Sequence, residues 1–361
     1  NGSHLLVSGD AADNQLEVTV LNNQVILRGL TNTTINGSTA LFVIAENTDT
    51  APGNITIETG AGNDTVILSR NIKVAGTTWL DGGVGNDSLG VDGATFQQTL
   101  SIYGRAGNDT ITVQNATTEG LLRIKGKSGD DLISLTNLTA NGALRIEGNL
   151  GVDGISFKNV TTAATTKIKT GAGSDNVVIK NSTLNGALRI RTKQDFDMLL
   201  MDGNTANGKV SINMGRDSDS VQLRNANTFN SSFHVLAGDG NSDAVDLGAS
   251  TVFNAGRTVR KSEGFAVNPT QTDRIDNATT GLIARAAAAD AAASALIDTT
   301  LELDTSANTT TPSVGGALIT RNANFEISGT SLPRAVITLD TNNDGVFDNG
   351  TLTADDAGHF T

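Results

Sequence analysis

The chain of 361 residues contains no cysteine, one tryptophan, one tyrosine and four prolines. The absence of cysteine excludes a disulfide framework and thiolate metal sites, and it fits an exported bacterial protein. Few aromatic residues leave valine, isoleucine, leucine and alanine to form the core. No apolar run approaches the roughly 20 residues that a membrane-spanning helix requires. The net charge of −13 disfavours nucleic acid as a partner.

Glycine and aspartate, by contrast, recur at a fixed interval. One pattern, roughly Leu-x-Ile-x-Gly-x-x-Gly-x-Asp-x-Val-x-Leu-x-Asn, returns with its aspartates 22 residues apart over six consecutive steps, with single steps of 23 and 24 at the two ends. Such regularity is typical of a solenoid. The repeated aspartates, which we call the aspartate column, are Asp64, Asp87, Asp109, Asp131, Asp153, Asp175, Asp197, Asp219 and Asp243.

Two segments of each repeat alternate apolar and polar residues, as strands do. Apolar residues stand nine and seven positions before the aspartate, as at Leu100 and Ile102, and two and four positions after it, as at Ile111 and Val113. The rest of each unit allows a brief third strand. Because equivalent strands lie one coil apart, they must pair in parallel. The sequence therefore predicts an all-β fold, a parallel β-helix of about nine coils rising roughly 4.8 Å each, with right-handed coiling.

An asparagine follows the second strand, six residues beyond the aspartate, in five of the repeats. Asparagine tolerates left-handed backbone angles, and its side chain can bond to an equivalent one in the next coil. We therefore predict a stacked turn at Asn115, Asn137, Asn159, Asn181 and Asn225.

Three further regions flank the β-helix, which we predict to span residues 51–260. Residues 1–50 contain alternating stretches separated by Asn22 and Asn23, which predicts an N-terminal β cap. The alanine-rich stretch 279–296 predicts a short helix within a cap or linker of residues 261–312. Strand patterns return in residues 313–361 and predict a partial β-sandwich-like module.

Two stretches resemble families of bacterial extracellular repeat proteins and adhesins. Residues 82–89, Gly-Gly-Val-Gly-Asn-Asp-Ser-Leu, resemble the turn of RTX (haemolysin-type) repeats, in which turn carbonyls and the aspartate hold calcium. That family's unit is shorter than this one, so the resemblance covers the turn only. Gly329-Thr330-x-x-Pro333 and a later Asp-Gly-x-Phe segment resemble the immunoglobulin-like modules of bacterial surface adhesins. The resemblances imply an extracellular or cell-surface location.

Stacked carboxylates need a compensating partner, because neighbours one coil apart repel by on the order of 1–3 kcal/mol. Calcium would supply it, and so would backbone N–H groups that donate to each aspartate inside its glycine turn. Asp195 and Asp217 add charge beside Asp197 and Asp219, so these coils are the better predicted ion sites. A second candidate calcium loop has EF-hand spacing but a threonine at position 12. Its ligands would be Asp340, Asn342, Asp344 and Asp348.

Basic residues collect at the positions eight and six before each column aspartate, which point outward from the first strand. Such a face, with aromatic residues at one end, suits an acidic polysaccharide or another anionic cell-surface polymer. The alternative is that lysine and arginine simply cover exposed sheet and pair with nearby acids. We define this face as the basic strip: Trp79, Tyr103, Arg123, Lys125, Arg145, Lys167, Lys169, Arg189 and Arg191.

Catalytic signatures are sparse. The three histidines lie far apart in the sequence, without partners for zinc or a catalytic triad. Glu58, Asp81 and Glu147 are the acids on the strip, and they are scattered rather than paired as a polysaccharide lyase or hydrolase requires. We therefore predict a non-enzymatic structural or adhesive segment of a large secreted or cell-surface bacterial protein, stabilised by calcium. The alternative is a carbohydrate-active β-helix that binds or cleaves an acidic polysaccharide.

Overall fold

The computed structural model describes residues 4–30, 33–51, 53–69, 71–239 and 243–260, and short strands between 300 and 360. These residues form two compact units, one holding nearly all of them up to Arg260 and the other holding the strands from Thr300 onward. The predicted helix at 279–296 and the predicted calcium loop at 340–348 lie outside the described residues. In the described part of the chain, no helix has the length and apolarity needed to cross a lipid bilayer.

The first unit is a parallel β-helix, as predicted. Each complete coil contributes one strand to each of three sheets, and successive coils follow in the same order along every sheet. Partners in the parallel ladders are one coil apart, as Leu100 with Leu122 and Ile111 with Ile133. The right-handed coiling stays a prediction.

The strands are numbered in chain order. The first sheet has eleven: β1 (His4–Ser8), β6 (Asn54–Glu58), β9 (Thr78–Val84), β12 (Leu100–Ala106), β15 (Leu122–Ser128), β18 (Leu144–Leu150), β21 (Thr166–Ala172), β24 (Leu188–Arg191), β27 (Val210–Asn213), β30 (Phe233–Leu236) and β33 (Arg257–Arg260). The second has twelve: β2 (Gln15–Leu21), β3 (Gln24–Gly29), β4 (Phe42–Ala45), β7 (Thr65–Leu68), β10 (Ser88–Asp92), β13 (Thr110–Gln114), β16 (Leu132–Thr136), β19 (Gly154–Lys158), β22 (Asn176–Lys180), β25 (Met198–Asp202), β28 (Ser220–Arg224) and β31 (Ala244–Asp246). The third has ten: β5 (Thr50–Ala51), β8 (Lys73–Val74), β11 (Thr95–Phe96), β14 (Thr117–Thr118), β17 (Thr139–Ala140), β20 (Thr161–Thr162), β23 (Thr183–Leu184), β26 (Thr205–Ala206), β29 (Thr228–Phe229) and β32 (Val252–Phe253).

The core lies between the three sheets and consists of the apolar residues that the alternation predicts. Leu100 and Ile102 from the first sheet and Ile111 and Val113 from the second are completely buried, and Phe96 of the third sheet joins them. Complete burial of one such side chain contributes about 1.5–3 kcal/mol. Because every coil buries several, packing between neighbouring coils is the main stabilising interaction.

The asparagine turn is confirmed. Asn115 and Asn137 have φ of 50° and 51°, in the left-handed region. The Nδ2 of Asn137 donates to Oδ1 of Asn115 at 3.0 Å, and Asn159 repeats the bond to Asn137 at the same distance. The side chains therefore bond one coil to the next at a corner where the backbone leaves the second sheet.

The N-terminal residues begin two of the sheets. β1 and β2 pair in parallel with β6 and β7, so the sheets start within the segment that the sequence assigns to a cap. β2, β3 and β4 then pair antiparallel at one end of the second sheet. Asn22 and Asn23 connect β2 to β3 with φ of 49° and 57°, the left-handed angles that a two-residue type I′ hairpin requires.

The second unit contains antiparallel pairs. Its strands are β34 (Thr300–Asp304), β35 (Thr311–Val314), β36 (Ala317–Ile319), β37 (Glu326–Thr330), β38 (Val336–Thr338), β39 (Thr351–Thr353) and β40 (His359–Phe360). They pair as β34-β37-β40, β35-β36 and β38-β39. β34 lies before the predicted module of residues 313–361, in the segment that the sequence assigns to a linker. The immunoglobulin-like topology stays a prediction.

Candidate functional site

The aspartate column lies between the first and second sheets and is buried. From Asp64 to Asp219 its members are at most 2% exposed. The Oδ1 of Asp131 accepts a hydrogen bond of 2.9 Å from the backbone N–H of Asp109, the equivalent residue one coil earlier. The same bond joins every step of the column to Asp243, at 2.8–3.0 Å. The carboxyl groups thus bond between coils rather than within one glycine turn.

An asparagine that the sequence pattern missed occupies the first position of this column. The backbone N–H of Asn14 donates to Oδ1 of Asp64 at 2.7 Å. Asn14 stands 50 residues before Asp64 in the sequence, so the 22-residue step does not point to it. Its place becomes clear only from the pairing of Gln15 with Thr65 in the second sheet.

A second, exposed ladder occupies the position directly before each column aspartate from Asp64 to Asp153. The N–H of Asn108 donates to Oδ1 of Asn86 at 2.7 Å, and that of Asp130 donates to Oδ1 of Asn108 at 2.8 Å. The N–H groups of this ladder donate to the preceding coil, whereas those of the aspartate column donate to the following coil. In the turns from Asp64 to Asp153, two consecutive amides therefore point to opposite neighbours, and side-chain oxygens accept from both where strand pairing is interrupted. The Gly-Asn-Asp repeat thus has a hydrogen-bonding role.

In four consecutive coils, from Asp87 to Asp153, the other carboxyl oxygen lies against a glycine five positions earlier in its own coil. At Gly126, an added Cβ would stand 2.0 Å from Oδ2 of Asp131. Gly104 and Asp109 repeat this close approach at 2.1 Å. The Oδ2 atoms of Asp109 and Asp131 are shielded from solvent and accept no hydrogen bond. An ionised carboxylate in this position is costly, because burial removes its hydration without replacing it.

Burial raises the pKa of six column carboxyls far above the ordinary value. The pKa reaches about 6 at Asp87, about 7 at Asp109 and about 8 at Asp131, although the backbone N–H bond to each carboxyl acts in the opposite direction. The charges of neighbouring column aspartates raise it further. Asp175 and Asp197 follow, with pKa values of about 6 and about 7. At pH 7 Asp109 and Asp197 are therefore about half protonated and Asp131 is mostly protonated, which reduces the repulsion that the sequence led us to expect.

Replacing Gly126 by alanine should destabilise the β-helix by about 1–3 kcal/mol, because the added methyl group would overlap the Asp131 carboxyl group. Gly256→Ala is the matched control, since a Cβ there meets no atom within 4 Å. Thermal unfolding of the two variants measures the difference. Equal melting temperatures would contradict the tight contact between glycine and carboxyl group.

The hydrogen bonds between coils give the aspartate column a structural role. Calcium binding by the column stays a prediction. Among the described residues, no three acidic or histidine side chains converge in a way that could hold a metal ion. Asp195 and Asp217 are exposed, outside the buried column, and bond to each other through Asp195 N and Asp217 Oδ2 at 3.0 Å. In each carboxyl pair that the sequence favoured as an ion site, one member is therefore exposed and the other is buried: Asp195 and Asp217 are exposed, and Asp197 and Asp219 are buried.

The basic strip is a continuous feature of the first sheet. Four of its cations are consecutive partners in the parallel ladder, one from each of β15, β18, β21 and β24. None of the four forms an ion pair with a described residue, and two of them, Arg145 and Arg189, are exposed. We call them the cation row: Arg123, Arg145, Lys167 and Arg189.

The neighbouring row of the strip is largely neutralised. Glu147 lies between Lys125 and Lys169 in the ladder and bonds to their amino groups at 2.7 and 3.8 Å. Burial acts to raise the pKa of Glu147, but the hydrogen bond from Lys125 and the charges of the lysines hold it below its usual value. The predicted pairing of the strip with nearby acids therefore applies to this row and not to the cation row.

The aromatic end of the strip is a packed cluster. The rings of Trp79 and Tyr103 stack with centroids 4.3 Å apart and planes 27° apart. Tyr103 is only 7% exposed, and the Arg105 guanidinium lies 5.4 Å from the centre of its ring. Arg105 also bonds both oxygens of Asp81. The predicted aromatic platform thus reduces to the half-buried face of Trp79.

Comparison with protein-family models, curated proteins and solved structures finds no match for this chain.

Proposed function

We propose that the β-helix is a non-enzymatic, extracellular binding segment whose basic strip contacts a linear anionic polymer such as an acidic polysaccharide. One observation carries the proposal. The cation row holds four positive charges on consecutive coils and has no acidic partner among the described residues.

The cost of this arrangement favours a partner outside the chain. Like charges one coil apart, about 4.8 Å, repel by on the order of 1 kcal/mol in water. Elsewhere on the same sheet Glu147 compensates this repulsion, and at the cation row nothing in the described chain does. A polymer that carries charge at regular intervals would supply the compensation along the whole row. Because the net charge of the protein is −13, the row would also orient such a polymer toward this face.

Two of the three acids on the strip, Asp81 and Glu147, support binding over cleavage. Both oxygens of Asp81 accept hydrogen bonds from Arg105, and Glu147 is paired with two lysines. A general acid or base needs a carboxyl group that can reach the scissile bond and exchange a proton. Ion pairing occupies both of these carboxyl groups, so they suit a structural role.

Replacing three residues of the row, Arg145, Lys167 and Arg189, by serine should weaken binding to polygalacturonate or dextran sulfate by about tenfold or more. The control is the triple variant Lys158→Ser, Lys180→Ser and Arg224→Ser, which removes the same charge from the second sheet. Sedimentation or calorimetric titration at physiological salt measures both. Equal affinities of the two triple variants would refute the proposal. Release of shortened polymer chains would instead establish an enzyme.

A further inference from the structure

A cavity of about 510 Å³ adjoins one end of the basic strip. The charged side chains that line it are Lys193, Arg216, Asp239 and Arg260. They come from successive coils, where the chain passes from the first sheet to the second or, for Arg260, where β33 ends.

The ladders of the β-helix place these residues beside the strip. Arg191, the last residue of the strip, is followed in the ladder by Asn213, Leu236 and Arg260, all three of which line the cavity. The N–H of Arg216 donates to the carbonyl of Lys193 at 2.8 Å, which fixes these two residues one coil apart. The cavity is thus a continuation of the strip.

Two of the residues that line the cavity are glycines. Gly215 has φ of 100° and Gly238 has φ of 108°, angles that residues with a side chain rarely adopt. A Cβ on either would stand 2.2 Å from a backbone oxygen of the preceding coil. At these two positions the backbone therefore lies directly on the preceding coil and adds no side chain to the lining.

The charges of the cavity favour a compact anion. Three cations and one carboxylate give the four charged residues a net charge of +2, and none of the three cations forms an ion pair with a described residue. Phosphate and sulfate groups present several oxygens that arginine can bind two at a time, with lysine adding a point charge. Asp239 would accept a hydrogen bond from a hydroxyl of the ligand and would repel a fully ionised group.

We propose that this cavity binds a phosphate or sulfate group. The assignment to a group carried by the anionic polymer as an ester rests on the proposed function of the strip, whereas binding of the free ion does not.

Titration of the protein with inorganic phosphate, followed by ³¹P NMR line broadening, tests the cavity. We expect saturable binding that Arg216→Ser weakens by about tenfold and that Asp239→Asn strengthens. Lys180→Ser, on the second sheet, should leave the affinity unchanged, and melting curves confirm that each variant is folded. Absence of saturable binding, or equal binding by Arg216→Ser and the unchanged protein, would overturn the proposal.

Binding to two different polymers distinguishes the contribution of the cavity from that of the basic strip. Arg216→Ser should weaken binding to dextran sulfate more than to polygalacturonate, which carries carboxylates only. The cation-row triple variant should lose affinity for both polymers and keep its affinity for inorganic phosphate. If neither polymer binds while phosphate does, the proposed function fails and the cavity remains a site for the free ion. If Arg216→Ser affects both polymers equally, the ester assignment is wrong.

Discussion

Replacing Asp131 by alanine is expected to lower the melting temperature of the β-helix by roughly 3–10 °C. The substitution removes the Oδ1 that accepts the Asp109 N–H at 2.9 Å and leaves that donor buried without a partner. An unpaired buried donor costs about 1–3 kcal/mol, and the space vacated by the carboxyl group adds to this loss. Thermal unfolding followed by circular dichroism at pH 7 measures the effect.

The variant Asp131→Asn distinguishes the effect of the hydrogen bond on stability from the effect of the carboxylate charge. The amide retains an oxygen for the Asp109 N–H and is neutral at every pH, so we expect a melting temperature equal to or above that of the unchanged protein at pH 8. If the Asp131 carboxylate held calcium instead, asparagine would remove ligand charge and would destabilise the protein in the presence of calcium.

Asp130→Ala is the matched control for position 131. The Oδ1 of Asp130 accepts the N–H of Val152 at 2.8 Å, also between coils, but this bond is exposed to solvent. Water can replace the lost acceptor, so the expected change is within about 0.5 kcal/mol. A loss as large as that of Asp131→Ala would show that burial is not the cause.

The architecture could be predicted because two independent sequence periods, of two residues and of 22 residues, indicate the same fold. The two-residue alternation assigns each apolar side chain to the interior, and the 22-residue step stacks those side chains in columns. Leu100, Ile102, Ile111 and Val113 are buried as that pattern requires. Local conformation follows as well where one residue type determines it, as with the left-handed asparagine turns.

The role of the aspartates could not be predicted in this way. A repeat shows that carboxyl groups are stacked, but not whether they point into the protein or out of it. That direction depends on which backbone amides lose their partners at the turn, and on the small residue at Gly126 that leaves room for the carboxyl group. The cavity at Arg216 is likewise absent from the pattern, because the residue type changes from coil to coil at the positions that line it.

The melting temperature of the β-helix should fall as the pH rises from about 5.5 to 8. Six column carboxyls have pKa values of about 6 to about 8 in the folded protein, against an ordinary value of 3.8. They are Asp87, Asp109, Asp131, Asp175, Asp197 and Asp219. Over this range the folded chain retains protons that the unfolded chain has released. Raising the pH therefore favours unfolding.

The size of the effect follows from the number of protons involved. Each proton held only by the folded state changes the free energy of unfolding by about 1.4 kcal/mol per pH unit. An average of one or two such protons over the range changes the free energy of unfolding by about 3.5–7 kcal/mol. The melting temperature then falls by roughly 7–28 °C. This contribution to stability is complete below about pH 4 and is lost as the pH passes through 6 to 8. Carboxyls with lowered pKa, such as Glu147, contribute stability that is already complete above about pH 5.

The double variant Asp109→Asn and Asp131→Asn should flatten this pH dependence, since neither amide can release a proton. Melting curves are recorded at pH 5.5, 7 and 8, each with calcium and with EDTA. They show whether protons or calcium ions neutralise the aspartate column. Proton neutralisation predicts a falling melting temperature that EDTA does not change. Calcium would instead bind the ionised carboxylates, so the melting temperature would rise with pH in its presence and drop on chelation. That second result would identify the aspartate column as a metal site and would contradict the buried-acid interpretation.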